Sequence, residues 1–276
     1  MFLIFRIVKI KKFNRLSFKV LAGFDPGFIY FSIMCTVTLT PLPETSTGFI
    51  LTSNRDEAGI RETLPPDHYV EKGVRLLYPR DKVAGGTWIG LSSHKRLICL
   101  LNGEFEDHER ILPYRLSRGV VVKDLLTARD LQSEINLYDL HNIEPFTIIA
   151  AEWKSGLDFI EFVWDGKEKH LRHLDKKSQI WSSSPLYTSE MKAFREDWFL
   201  DFQTRSKITP EGLWEFHHSA GKGDNHIDVI MDRGFIKTQS ITQVIYDGKK
   251  VDMIYEELNS GDIVIKGFRK PLTDNS

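Results

Sequence analysis

The chain has 276 residues, 41% of them hydrophobic and 12% aromatic, enough for a substantial core in one large domain or two tightly fused halves. Its 37 basic and 38 acidic residues leave a formal charge of −1, which argues against the net basic footprint that binding a nucleic-acid backbone requires. Two cysteines, Cys35 and Cys99, are too few for a secreted disulfide scaffold, and the Cys and His spacings of a zinc site are absent.

Residues 1–33 mix apolar residues with Arg6, Lys9, Lys11, Lys12, Arg15 and Lys19. The charges follow the apolar start, the reverse of a secretory signal, and no window reaches the ~18 apolar residues of a membrane span. Three readings stand: translation truly starting at Met34, a removable pro-segment, or a weak membrane-surface anchor. The first is favoured because clean strand alternation begins at Met34-Cys35. The expected organisation is therefore an N-terminal extension over 1–33 and a single domain over 34–270, with a cytoplasmic location if Met34 is the start.

Cys35-Thr-Val-Thr-Leu-Thr40 alternates and is β-rich, and Gly48-Phe-Ile-Leu-Thr-Ser53 follows after a turn region. So short a connection favours an antiparallel hairpin. With position 40 near 48 and 35 near 53, Asn54, Arg55 and Asp56 come beside Cys35. Further strands are expected near 75–79, 87–92 and 96–102. Helices follow at 116–129 and 130–140, then strands at 146–153, 157–164, 168–173 and 178–183. Helices at 188–204 and 210–218 precede strands at 241–246, 250–256 and 262–268. Hairpins dominate and βαβ alternation is absent, which predicts an α+β fold: two stacked antiparallel sheets with helices outside.

Cys35 directly follows Met34. Removal of an initiator Met34 leaves one residue holding both a thiol and a free α-amine, whose ordinary pKa of about 7.7–8.0 lets it take a proton near neutral pH. A base beside a nucleophile is what covalent catalysis needs, and a cation such as Arg55 favours the thiolate. Asn54-Arg55-Asp56-Glu57 reads either as a solvated turn with an exposed ion pair or, by its approach to Cys35, as part of a site. Gly85-Gly86-Thr87-Trp88-Ile89-Gly90 lacks the pattern of a phosphate loop. It reads as close backbone approach with an aromatic packed on it, or as a pocket wall. Asn102 is a strand-ending turn residue or an oxyanion donor, a role that contributes about 3 kcal/mol to a transition state. Ser182-Ser183-Ser184-Pro185 reads first as a helix-capping region. Cys99 reads as a small buried hydrophobe. His217 and His218 read as a helix end, and no metal or cofactor is implied.

Met34-Cys35-Thr36, Asn54-Arg55-Asp56-Glu57, Gly85-Gly86-Thr87-Trp88-Ile89-Gly90 and Leu101-Asn102, in this order, resemble the NRDE family, whose eukaryotic branch is the transport-and-Golgi-organisation family. The resemblance runs from Met34 to roughly Phe268. It implies kinship with N-terminal-nucleophile hydrolases of the choloylglycine hydrolase and penicillin V acylase group, and with it an αββα sandwich. On that resemblance Cys35 is the nucleophile, Arg55 and Asp56 are its polar neighbours, and Asn102 serves the oxyanion. Ser183 stands where those hydrolases carry a second oxyanion Asn. Gln239 stands where an Arg is usual, so a second cation is missing.

Two functions are therefore expected in competition. One is hydrolysis of a non-peptide amide through a Cys35 acyl-enzyme. The other is a non-catalytic carrier or trafficking protein whose pocket takes a hydrophobic ligand such as a lipid, acyl-CoA or haem.

Overall fold

Two strands, β1 (Met34–Pro41) and β2 (Phe49–Ala58), form the expected hairpin, with Thr40 opposite Ile50 and Cys35 opposite Arg55. The register lies two residues beyond the expected one. A two-residue shift keeps every side chain on its face, so the juxtaposition of Cys35 with Arg55 survives. The computed structural model describes residues 34–42, 45, 47–103, 113–183 and 187–268, with only the backbone of Met34 and Cys35. The expectations for residues 1–33, Ser184 and Pro185 lie outside the described residues.

The seven-stranded sheet runs through β3 (Thr63–Glu71), β4 (Val74–Asp81), β5 (Ile89–Ser92), β6 (Arg96–Asn102), β7 (Phe146–Glu152), β8 (Asp158–Trp164) and β9 (Lys169–Leu174), in that spatial order. The chain then crosses to β10 (Gln179–Ser182), the edge of a six-stranded sheet ordered β10-β1-β2-β11-β12-β13. Its last members are β11 (Ile236–Tyr246), β12 (Val251–Glu257) and β13 (Asp262–Phe268). Every neighbouring pair is antiparallel.

Phe49 and Leu51 on one face of β2, with Val37 and Leu39 of β1, join Leu97, Cys99 and Ile149 of the other sheet in one buried cluster. Ile50, between them in sequence, points the other way and packs with Phe199, Leu213, Phe216 and Val229. This alternation along a central strand produces the two cores, each fully buried Leu or Phe contributing roughly 1.5–3 kcal/mol.

Helices cover both outer faces. On the seven-stranded sheet, α1 (Arg118–Thr127) packs on β5 and β6, and α2 (Leu131–Leu137) packs on α1. Arg96 fixes the end of α1 by donating to the carbonyls of Leu125 and Ala128 at 2.6 and 2.9 Å. On the six-stranded sheet, α3 (Ser189–Arg205) lies against β10, and α4 (Pro210–Ser219) against β2 and β11. Thr188 and Thr209 cap these helices, their hydroxyls accepting from Met191 and Gly212.

Three boundaries differ from expectation. β3 carries Pro65-Pro66, a pair that argues against a strand, yet it is an edge strand and its register shifts between Leu64 and Asp67. β2 runs on to Ala58 and β11 starts at Ile236, although both added stretches are polar. The tetrapeptide at 54–57 is therefore not a solvated turn at a strand end. It lies inside a central strand and is wholly buried, because β1 and β11 satisfy its backbone and buried partners satisfy its side chains.

Candidate active site

Strand alternation divides the tetrapeptide. Arg55 and Glu57 face the other sheet, and Asn54 and Asp56 face the helices. The Arg55 guanidinium lies 4.5 Å from the centre of the Trp88 ring and within 3.5 Å of Glu57 and 3.6 Å of Asp81. Arg61 completes the cluster, 2.6 Å from Asp81 and 3.4 Å from Glu57. Burial pushes the Glu57 carboxyl above its ordinary range, against the pull of Arg55 and Arg61.

Asp81 ties this cluster to the glycine-rich turn. Its other carboxylate oxygen accepts from the backbone of Val83 and Ala84, and its own N–H and C=O bond to Gly86 and Gly85. Gly85 takes φ of +65°, a region that favours glycine. A Cβ on Gly86 meets the Gly119 carbonyl carbon at 2.6 Å, at the start of α1. The turn is thus a close backbone approach carrying Trp88. Gly86→Ala should lower stability by about 1–3 kcal/mol, the usual result of forcing extra carbon into a packed site. A urea melt with an unchanged midpoint would refute this.

The helix-facing pair is equally enclosed. Asp56 accepts from the hydroxyls of Tyr187 and of Thr238, the latter at 2.6 Å, and burial raises its pKa despite nearby Arg195. Arg195 stacks 3.5 Å from the Tyr187 ring centre and donates to the Ile227 and Asp228 carbonyls. Asn54 donates to the carbonyls of His217 and Val229, so its side-chain oxygen accepts from His217 Nδ1. His217 Nε2 then accepts from the Thr38 hydroxyl at 2.8 Å, which assigns a neutral Nδ1–H imidazole.

Burial, with His218 and Arg195 nearby, lowers the His217 pKa from 6.5 to about 3. The unfolded chain therefore binds a proton that the folded one refuses between those values. His217 contributes a loss of stability as pH falls from about 6.5 towards 3. His217→Gln should flatten the difference in stability between pH 7 and pH 4 relative to the parent. An unchanged pH dependence would assign acid sensitivity elsewhere.

A cavity of about 550 Å³ opens between the sheets beside the N-terminal end of β1. Ser182, the Cα partner of Thr36, lines it with Ser183, Leu101, Asn102, Glu161 and Lys192. Glu161 is held there by Arg172 and by Trp181 Nε1 at 2.8 Å. Asn102 and Ser183, the two expected oxyanion residues, thus share one cavity. Alternation along β6 puts Leu101 on the inter-sheet face and Asn102 on the other. Both amide atoms of Asn102 are shut off from solvent and have no hydrogen-bond partner among the described residues. Asn102 is thus a cavity-lining residue whose amide is not committed to any partner among the described residues.

Gln239 sits in a bulge of β11 between Thr238 and Ser240. It donates to the Glu57 carbonyl at 3.0 Å and accepts from Asn259 at 2.8 Å. Cys99 is buried and its thiol is pushed up to about 12, as a small core hydrophobe. No group of three or more His, Cys, Asp or Glu among the described residues is placed to hold a metal ion. Sequence reading missed Asp81, Tyr187, Thr238 and the burial of His217. Two of these carried a signal: Asp81 precedes a glycine turn that needs an acceptor, and His217 lies four residues after the core residue Leu213.

An antiparallel double sheet flanked by helices on both faces is an α+β sandwich with the fold seen in N-terminal-nucleophile hydrolases. The structure is similar to penicillin V acylase from Agrobacterium tumefaciens, with a TM-score of 0.50 at 12% identity over 85% of this chain and 86% of that one. It is equally similar to the Caenorhabditis elegans N-acylethanolamine-hydrolyzing acid amidase orthologue, with a TM-score of 0.50 at 12% identity over 76% and 92%. At such identity these likenesses establish the fold. No curated protein matches the chain in sequence. The family model "Transport and Golgi organisation 2" matches residues 34–201, and the chain belongs to that family.

Proposed function

We propose that the protein is an N-terminal-cysteine hydrolase of small-molecule amides, with Cys35 as the nucleophile once Met34 and anything before it are removed. The observation that carries this reading is the cavity beside the start of β1, walled by Ser182 and Ser183 on one side and Leu101 and Asn102 on the other. The Cys35 thiol attacks the amide carbonyl and its α-amine takes the thiol proton, later delivering it to the leaving amine. The Asn102 amide, with backbone N–H groups, and the Ser183 hydroxyl stabilise the oxyanion, and water then cleaves the thioester. The buried Arg55 supplies positive charge one strand away. With Met34 as the start the protein is cytoplasmic. No helix among the described residues is long and apolar enough to cross a membrane.

The test is incubation with penicillin V and with N-acyl amides of graded chain length, followed by product analysis and intact mass. The expected result is turnover whose rate rises with pH through the ordinary α-amine range of about 7.7–8.0. Asn102→Ala should cost roughly 10²–10³-fold in kcat, the usual loss on removing one oxyanion donor. Unchanged turnover in that variant would instead assign the donor to backbone N–H groups. Saturable binding of a lipid, acyl-CoA or haem with no turnover of any amide would replace the hydrolase by the carrier.

A further inference from the structure

A pair of clefts lies at the other end of β6 from the Asn102 cavity. The turn between β5 and β6, the connection between α1 and α2, and the turn between β7 and β8 bring Ser93, His94, Lys95, Arg129 and Lys154 around a cleft of about 350 Å³. Lys95 and Ser93 also line an adjoining cleft of about 560 Å³, with Arg75, Lys249, Trp153 and Phe268. Seven residues of extended β6 separate Lys95 from the Asn102 end, a span of roughly 24 Å. The clefts are thus distinct from the cavity beside β1.

Five cations therefore converge from separate segments, and among the described residues no carboxylate lines either cleft. Several exposed lysines elsewhere are paired, as Lys72 is with Asp124, Lys82 with Glu62 and Lys266 with Asp67. Arg75, Lys95, Arg129, Lys154 and Lys249 form no ion pair among the described residues. Asp130, the carboxylate next to Arg129, caps α2 through the Ser133 N–H at 2.7 Å and feels the charge of Lys154 without forming an ion pair with it. In a chain of formal charge −1, such a concentration of unpaired positive charge is an attractive local field for anions. His94 is oriented by its Nδ1 contact to the Ala128 carbonyl at 2.9 Å. Lys95 is held at φ of +59°, where a side chain is costly and glycine is not.

We propose that this end of the protein binds a phosphate-bearing ligand, its phosphate among Ser93, Lys95, Arg129 and Lys154 and its apolar part against Trp153 and Phe268. The groups present suit a phosphate: several cationic donors and a hydroxyl, with no carboxylate among the described lining residues. The adjoining cleft supplies the apolar and aromatic surface that a bare anion does not need.

The test is calorimetric titration of the full chain with inorganic pyrophosphate, repeated with vesicles of phosphatidylcholine containing phosphatidic acid. Saturable pyrophosphate binding is expected. Lys95→Gly should weaken it about tenfold, the loss typical of removing one hydrogen bond to a charged group, and Arg129→Ala should do likewise. Lys95→Gly should also melt no lower than the parent, because glycine accepts that backbone conformation. Lys82→Ala should leave binding unchanged. Pyrophosphate displacing bound vesicles identifies the source as a lipid headgroup; pyrophosphate binding without vesicle binding identifies a soluble phosphate. The proposal is overturned by absence of saturable pyrophosphate binding, by wild-type affinity in both variants, or by vesicle binding that pyrophosphate does not displace.

Discussion

Replacing Cys35 by alanine is expected to abolish both amide turnover and covalent labelling by a β-lactam or other reactive amide. Where a nucleophile and its base act as one unit, losing the nucleophile costs about 10⁶-fold in kcat. Here thiol and amine belong to one residue, so the unit cannot be divided among neighbours. The pairing of β1 with β2 and β10 is made by backbone and persists in the variant. Cys35→Ser keeps the α-amine but offers a hydroxyl, and should label far more slowly than the parent. Cys99 serves as an internal control. It is buried in the core with its thiol pushed up to about 12, so it presents almost no thiolate at neutral pH. Intact mass and peptide mapping after labelling make the measurement. An adduct that survives in Cys35→Ala would remove Cys35 from the mechanism.

The second large effect is on stability. Arg55→Met should destabilise the fold by about 3–5 kcal/mol, the range seen when one partner of a buried ion cluster is removed. Glu57 and Asp81 then share only Arg61, and Glu57 already sits in surroundings that disfavour its charge. Trp88 also loses the cation stacked at 4.5 Å, and with it the anchor of the glycine turn to the opposite sheet. Arg55→Lys should fall between, keeping the charge but not the flat stacking surface. Urea midpoints with constant m-values decide the matter. A Met variant as stable as the parent but unable to label would make Arg55 a participant in the chemistry rather than a tie between sheets.

These two residues show how legible the site was. Cys35 stands at the start of an alternating β-rich run, and hairpin logic alone brought it to the 54–56 stretch. The register was two residues off, and that error was harmless only because it was even. The division of the tetrapeptide was not legible. Four consecutive polar residues carry no hydrophobic alternation, so nothing local distinguished an exposed turn from a buried strand. Their burial depends on distant partners: Asp81 from β4, Tyr187 before α3, His217 on α4 and Thr238 on β11. Nor was it legible that Asn102 and Ser183 would line one cavity, since that depends on β6 and β10 meeting from different sheets. β3 was hidden by Pro65-Pro66, which only an edge position tolerates. The remaining strands were readable from their apolar runs and turns, and α3 and α4 from the threonines that cap them.

The account rests on Cys35 becoming the first residue of the mature chain. The measurement that tests it most directly is the N-terminal sequence and intact mass of the protein made from its own gene. A terminus at Cys35 is the expected result, with the α-amine free to act as base. A mature protein that begins at Met1, or at a retained Met34, has no such amine and contradicts the mechanism.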